Sequence, residues 1–194
     1  MINTTLKALR SCGFSEAALQ KLHSRLALAG PEVEFPLAAL LDKGRDEDVI
    51  WALVHGGPDL RALAVQFAAD CAEHVLPAWT QKFPTDDRPQ LAIQAVRSRA
   101  GVDALERAAR AASAASSQAS VPGCCEAQAA EAAAVAAAAA SFNVPPRIPR
   151  LSEPAIIHAV LGVAAYGRAA AGREWLAEQA WQCEHLRKLL EEDE

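Results

Sequence analysis

Alanine dominates this sequence, most strongly in residues 126–141, which read EAQAAEAAAVAAAAAS. Alanine has the highest helix propensity of all residues, and a helix built from it has almost no polar face. Its small side chain also lets neighbouring helices approach to about 8 Å. Alternating runs of β-branched and aromatic residues, which are typical of strands, are missing, and aromatic residues make up only 5% of the chain. The sequence therefore predicts an all-α fold.

Glycines, prolines and helix caps divide the chain into about ten predicted helices joined by short connections. We expect one helical domain over residues 1–194, with small amino-terminal helices at 1–57, central helices at 58–141 and a carboxy-terminal helical pair at 152–191. Ser15 and Ser152 are predicted N-caps, residues 35–41 a helical turn, and residues 143–151 an extended connection. Because no repeat period emerges, a compact multi-helix bundle and a short solenoid-like array of helix pairs both fit.

The helix predicted to begin near residue 59 is apolar over most of its circumference, which is typical of an internal helix. At about 100° per residue its polar side chains form one narrow strip. That strip consists of Asp59, Gln66, Asp70 and Glu73. Arg61 falls inside the apolar arc and needs a partner, because a guanidinium cannot lose its charge. We hypothesise that Arg61 pairs with Asp86 or Asp87 in the tract TDDRP and thereby fixes the two helices together.

Charge and composition exclude several classes of partner. The net charge is −5, and no cluster of lysine or arginine forms a stripe, which argues against nucleic acid. The most apolar window, residues 127–140, is shorter than the roughly 20 residues that a membrane-spanning helix needs. The amino-terminal residues lack the basic and then apolar pattern of a signal peptide. The five scattered cysteines fit free thiols in a reducing compartment, so we expect a cytoplasmic protein with no membrane partner.

Two cysteine–histidine pairs are the nearest approach to a metal-site motif. Cys71 and His74 have C-x2-H spacing, and Cys183 and His185 have C-x-H spacing. Together they offer four zinc ligands, but the spacings match no common structural zinc site, and small buried thiols explain them more simply. A vicinal pair, Cys124-Cys125, is explained more simply by chance than by redox chemistry. We therefore predict no metal.

No residue pattern in the chain indicates catalysis or a cofactor. A Ser/His/Asp arrangement, a glycine-rich phosphate loop and a dinucleotide fingerprint are all missing from the sequence. His158 lies on a helix that is apolar nearly all round, so we interpret it as a core histidine. We therefore predict that the protein is not an enzyme and has no catalytic residue.

The last helix offers a candidate contact for a protein partner. Trp181 is predicted to project from a charged face that includes Glu178, on the side opposite a buried arc. That arc consists of Leu176, Ala180, Cys183, Leu186, Leu189 and Leu190. Tryptophan is enriched among binding hot spots, so Trp181 is a candidate anchor. The alternative is that the amino-terminal helices of the same chain cover it.

A second candidate contact surface is the acidic and basic tract from Asp42 to Asp48, which contains Asp46 and Asp48. The alternative for this tract is a solvated loop without a partner.

The most distinctive stretch of the chain runs from residue 61 to residue 97. Its marker residues are Arg61, Cys71-Ala72, Val75-Leu76, Pro84, Asp87-Arg88-Pro89, Ala92-Ile93 and Arg97. This stretch resembles the signature of a family of bacterial helical proteins described as immunity proteins of polymorphic toxin systems. The resemblance implies a non-enzymatic inhibitor that binds a cognate protein toxin. It also implies that Arg61, Asp86, Asp87, Arg88 and Arg97 stabilise the fold, while the toxin contacts outer faces.

Two other functions remain open from the sequence. One is a helical scaffold or adaptor that binds another protein or a peptide along a groove. The other is a small-molecule binder or enzyme with its site inside the alanine-rich bundle, around His158, Tyr166 and Arg168.

Overall fold

The computed structural model describes residues 1–41, 46–119, 124–143 and 149–191, and in these ranges it is helical almost throughout. The elements are β1 (Asn3–Thr4), α1 (Leu6–Ser11), α2 (Glu16–Leu26), β2 (Phe35–Pro36), a 3-10 helix (Leu37–Leu41), α3 (Asp46–His55), α4 (Pro58–Lys82), α5 (Arg88–Arg97), α6 (Val102–Gln118), α7 (Cys125–Asn143), α8 (Pro149–Ala170), a second 3-10 helix (Gly172–Glu174) and α9 (Trp175–Glu191). The predicted all-α fold is confirmed.

Helix α7 lies at the centre of the fold. Ten of its alanines and Ser141 are buried, and they cover most of its circumference, while one strip that includes Gln128, Glu131 and Val135 is partly exposed. α4, α6 and α8 pack around it, because alanine side chains leave room for close helix–helix contact. The sequence predicts an internal position for α4, but α4 exposes Asp59, Gln66 and Glu73 along one side. α7 is therefore the enclosed helix, and α4 presents a polar strip at the surface.

The turn between α4 and α5 is held by the residues of the TDDRP tract. The Asp86 carboxylate accepts hydrogen bonds from Arg88 Nε at 2.8 Å and from Arg88 Nη2 at 2.6 Å. The buried Trp79 donates its indole N–H to the Asp86 carbonyl at 2.9 Å. The Arg88 guanidinium beside Asp86 holds the pKa of that carboxyl below its usual range. These contacts fix where α4 stops and α5 starts.

The predicted pairing of Arg61 with Asp86 or Asp87 is wrong. Helix α4 continues through Pro77 to Lys82, so the rise of the helix puts about 30 Å between Arg61 and the turn. Arg61 Nε instead donates to the carbonyl of Val54 at 3.2 Å, which ties α4 to α3.

The amino-terminal region contains a feature that the sequence pattern misses, a two-residue antiparallel pair in which Thr4 lies opposite Phe35. Ser15 caps α2 as predicted, accepting from the Ala18 N–H at 3.2 Å. The Ile2 N–H donates to the Leu190 carbonyl at 2.9 Å, so the start of the chain is bound to the end of α9. Of the predicted turn at residues 35–41, the first two residues are strand and the rest form the 3-10 helix.

Helix α8 begins at Pro149, so Ser152 lies inside it and the predicted N-cap there is wrong. Of the predicted extended connection, Asn143 and residues 149–151 are helical and the remainder lies outside the described residues.

Within the described ranges, no single helix is long and apolar enough to cross a membrane, although a bent pair, Ala155–Ala170 with Gly172–Glu191, meets the length and composition criteria jointly.

Candidate functional site

Helices α4, α5 and α9 surround a shallow surface depression of about 260 Å³. It is lined by Asp70, Glu73, His74, Arg97, Trp181 and His185. The polar strip of α4 supplies the two acids, the last turn of α5 supplies the arginine, and α9 supplies the tryptophan and the second histidine. Charged and aromatic groups from three helices therefore converge at one point of the surface.

Two histidine–carboxylate hydrogen bonds join α4 to α9. His185 Nε2 lies 2.7 Å from Asp70 Oδ2, and His74 Nδ1 lies 2.7 Å from Glu178 Oε2. An ionised carboxylate can only accept, so in both pairs the imidazole nitrogen donates. The earlier residue of the pair on α4, Asp70, contacts the later residue on α9, His185, whereas the later residue on α4, His74, contacts the earlier one on α9, Glu178. The two helices therefore run antiparallel here.

Trp181 lies between the two imidazoles. Its ring system stacks on His74 with centroids 3.7 Å apart and planes 3° apart, and on His185 at 4.9 Å and 7°. His185 lies one turn after Trp181 on α9. His74 is bound to Glu178, which lies nearly one turn before Trp181, so the two imidazoles flank the indole. Phe67 of α4 continues the stack beyond His185, at 6.5 Å. The indole is thus held in one orientation, with its ring partly exposed.

Arg97 closes the depression on the α5 side. Its Nη2 donates to Asp70 and, at 2.6 Å, to Glu73. Burial alone would lower the pKa of Arg97, but the hydrogen bonds that it donates to Glu73 and Asp70 and their negative charges outweigh this effect, and the pKa is raised. Arg97 therefore stays charged and ties α5 to the polar strip of α4.

A buried polar network lies beneath Trp181. Gln182, which is fully buried, donates to Glu178 Oε1 at 2.8 Å and to the Ala164 carbonyl at 3.1 Å, and accepts from Arg168 Nη1 at 3.1 Å. The backbone of α8 approaches closely at Gly167, where a Cβ atom would lie 2.9 Å from Gln182 Nε2. The network fixes α9 on α8 and so supports the ring stack above it.

The structure changes the interpretation of α9. Glu178 is 5% exposed, so the prediction that it belongs to a solvent-facing charged surface is wrong. Leu176, predicted to be buried, is 63% exposed. The buried row of this helix is Glu178, Gln182, Leu186 and Leu190, which recur every four residues. Trp181 is partly buried, and His74 of α4 covers it rather than the amino-terminal helices.

Of the signature residues, Arg97 alone lines the depression. Asp86 and Arg88 hold the α4–α5 turn, Asp87 is the N-cap of α5 without a side-chain hydrogen bond, and Arg61 contacts α3. These four residues do not line the depression, and the structural role that the resemblance implies for them stays a prediction.

The other candidate residues do not join this site. Asp48 is partly exposed on α3, the Asp46 side chain lies outside the described residues, and so do residues 42–45. His158 is exposed, so the core position predicted for it is wrong. Arg168 belongs to the network of Gln182. Two depressions in the described part of the chain are lined by other residues, and not by His158, Tyr166 or Arg168.

The described structure contains no disulfide between the cysteines of the two predicted cysteine–histidine pairs. Cys71 is buried in α4, Cys183 is partly exposed on α9, and all five cysteines are free. Among the described residues no group of three or more histidine, cysteine, aspartate or glutamate side chains has a geometry suited to a metal ion.

Sequence reasoning found the components of the site but not the site. The polar strip on α4 already contained Asp70 and Glu73, and Trp181 stood out on its own. The sequence also places His185, one turn after Trp181, on the same face of α9. That spacing marks a two-ring platform, but nothing local indicates that His74 completes it.

Comparison with known protein families identifies one match to this chain. A family model described as "Imm-5 like putative immunity protein" matches residues 58–189, about two thirds of the chain. The match begins at the first residue of α4 and ends within the last turn of α9, so it contains every residue of the depression. No curated protein and no solved structure shows significant similarity to the chain.

Proposed function

The chain belongs to the Imm-5 like immunity protein family, and on this basis we propose that it binds a cognate protein toxin and neutralises it. The observation that carries the proposal is the family match over residues 58–189, which spans six of the helices. Inhibition by binding alone, without turnover, needs no catalytic residue or cofactor in the inhibitor.

The architecture supports such a role. A helical body with α7 buried over most of its circumference and α9 fixed by a buried network provides a rigid surface, and rigid surfaces lose little entropy on binding. A stable protein–protein interface buries on the order of 800 Å² per partner, which one face of a protein of this size can supply.

The proposed partner is a toxin encoded next to the gene for this chain, as in a bacterial polymorphic toxin system. The net charge of −5 would accelerate encounter with a basic toxin, because complementary charge raises association rates. The proposal places this encounter in the cytoplasm, where the five free thiols would stay reduced.

Co-expression tests the proposal. The toxin encoded beside this gene is expressed in a sensitive bacterium, alone and together with the chain, and survival is measured. We expect the chain to restore growth and to co-purify with the toxin. A catalytically inactive toxin controls for general toxicity, and an unrelated acidic helical protein controls for non-specific rescue. The proposed function would be excluded if growth arrest persisted although the chain was expressed in soluble form, and if no adjacent gene encoded a toxin that the chain neutralises.

A further inference from the structure

We infer that the depression formed by Glu73, His74, Arg97 and Trp181 receives an arginine or lysine side chain of the toxin and lies at the centre of the interface. The inference rests on the proposed function and adds to it a surface on this chain and a chemical class for the group that binds there.

The depression is preorganised. The indole of Trp181 stacks against an imidazole on each side, and each imidazole is held by a carboxylate at 2.7 Å. Side chains that are already ordered lose little entropy when a partner docks, whereas mobile ones lose more. Tryptophan and arginine are also the residues most enriched among binding hot spots.

The groups that face outward from α4 are hydrogen-bond acceptors. His74 donates through Nδ1 to Glu178, so in the neutral ring Nε2 is an acceptor, and 41% of this side chain is exposed. Glu73 is 57% exposed and contacts Arg97 through one carboxylate oxygen, which leaves the other oxygen able to accept. A partner that donates several hydrogen bonds satisfies both groups at once.

The charge of the depression favours a cation. Asp70 and Glu73 outnumber Arg97 in its lining, and Glu178 adds a further carboxylate directly beneath. The whole chain carries −5, so the long-range field has the same sign. A carboxylate from the partner would meet two like charges, and a purely apolar side chain would remove Glu73 from water without replacing its hydrogen bonds.

The aromatic rings favour arginine within this class. The inner face of His74 is covered by Trp181, so its exposed area is the outer face and edge of the ring. A guanidinium can stack flat on such a ring while it donates to a neighbouring carboxylate such as that of Glu73.

A charge-reversal experiment tests the inference. The purified chain and the toxin encoded beside its gene are used to measure Kd at low and at physiological salt. Glu73→Lys should weaken binding at least tenfold, with a larger loss at low salt, and Glu73→Gln should give a smaller loss. Arg97 keeps Asp70 as a partner in both variants, so the fold should be retained, which circular dichroism and the melting temperature verify.

Glu106→Lys on α6 is the matched control. Glu106 is 38% exposed, is paired with Arg110 at 3.7 Å and lies outside the lining of the depression, so the same charge change should leave Kd unchanged. A set of toxin variants with single arginine or lysine residues changed to glutamate should contain one that restores affinity for Glu73→Lys. That restored pair identifies the side chain that occupies the depression.

The outcomes separate this inference from the proposed function. If the wild-type chain neutralises the toxin but Glu73→Lys binds equally well, or loses no more affinity than Glu106→Lys, the inferred surface is wrong and the function stands. If the wild-type chain neither binds nor neutralises the toxin, the proposed function itself fails.

Discussion

Replacing Gln182 with leucine tests whether the buried network under Trp181 holds α9 in place. Leucine has a similar volume, so the substitution removes hydrogen bonds without opening a large cavity. Gln182 makes bonds of 2.8 Å to Glu178, 3.1 Å to the Ala164 carbonyl and 3.1 Å to Arg168. The variant therefore isolates the polar contribution of one side chain.

The magnitude follows from what is left behind. Arg168 is partly exposed and can reach water, and the Ala164 carbonyl keeps its place in α8, so both lose little. Glu178 is 5% exposed and loses a donor, and a buried charged group deprived of a donor costs about 1–3 kcal/mol or more. The added apolar burial offsets part of this cost. We expect a net destabilisation of about 1–2 kcal/mol, and hence a melting temperature lower by about 2–8 °C for a chain of this length.

Thermal and urea unfolding followed by circular dichroism measure the change. Gln94→Leu, on the exposed side of α5, is the control and should stay within about 0.5 kcal/mol of wild type. A double-mutant cycle with Glu178→Gln should show coupling of at least about 0.5 kcal/mol, because the two side chains share a hydrogen bond. Equal stability of Gln182→Leu and Gln94→Leu would refute the reasoning.

Further predictions concern α8 and the α4–α5 turn. Gly167→Ala should destabilise the fold by about 1–3 kcal/mol, since its Cβ would lie 2.9 Å from Gln182 Nε2. Gly162→Ala in the same helix, where the nearest atom is 3.6 Å away, should be neutral or stabilising; equal unfolding free energies would contradict the close approach. Asp86→Asn should lower stability at neutral pH, because Arg88 depresses the pKa of Asp86 and the ionised pair stabilises the fold above the usual aspartate pKa of about 3.9. The difference in stability between wild type and Asp86→Asn should decrease below the usual aspartate pKa and vanish as the pH falls through the lower pKa of Asp86 in the folded state. A stability difference that does not depend on pH in urea titrations would argue against the pair.

The helical fold was predictable because local signals agree along the chain. Ser15 caps α2 as its side-chain chemistry requires, and the alanine run at 126–141 lies in the enclosed helix. The two-residue strands at Asn3–Thr4 and Phe35–Pro36 were not predictable, since a pattern of period two needs more residues to show. The predicted division into segments at 1–57, 58–141 and 152–191 stays a prediction.

The candidate site could be predicted only in parts. Asp70 and Glu73 fall in one strip of the helical wheel, but their partners lie far away in sequence: 115 residues separate Asp70 from His185 and 104 separate His74 from Glu178. Glu178 was placed at the surface because buried polar residues cannot be distinguished from exposed ones without knowledge of their partners. For the same reason, the predicted buried face of α9 included Leu176, which is exposed in the structure.

Titration of toxin activity with the purified chain tests the central claim most directly. A binding inhibitor whose Kd is well below the toxin concentration should reduce the activity linearly and abolish it near one equivalent. Unchanged activity at a large excess of chain would contradict neutralisation by this protein. Complete inactivation at a small fraction of an equivalent would contradict inhibition by binding, because only a catalyst acts below stoichiometry.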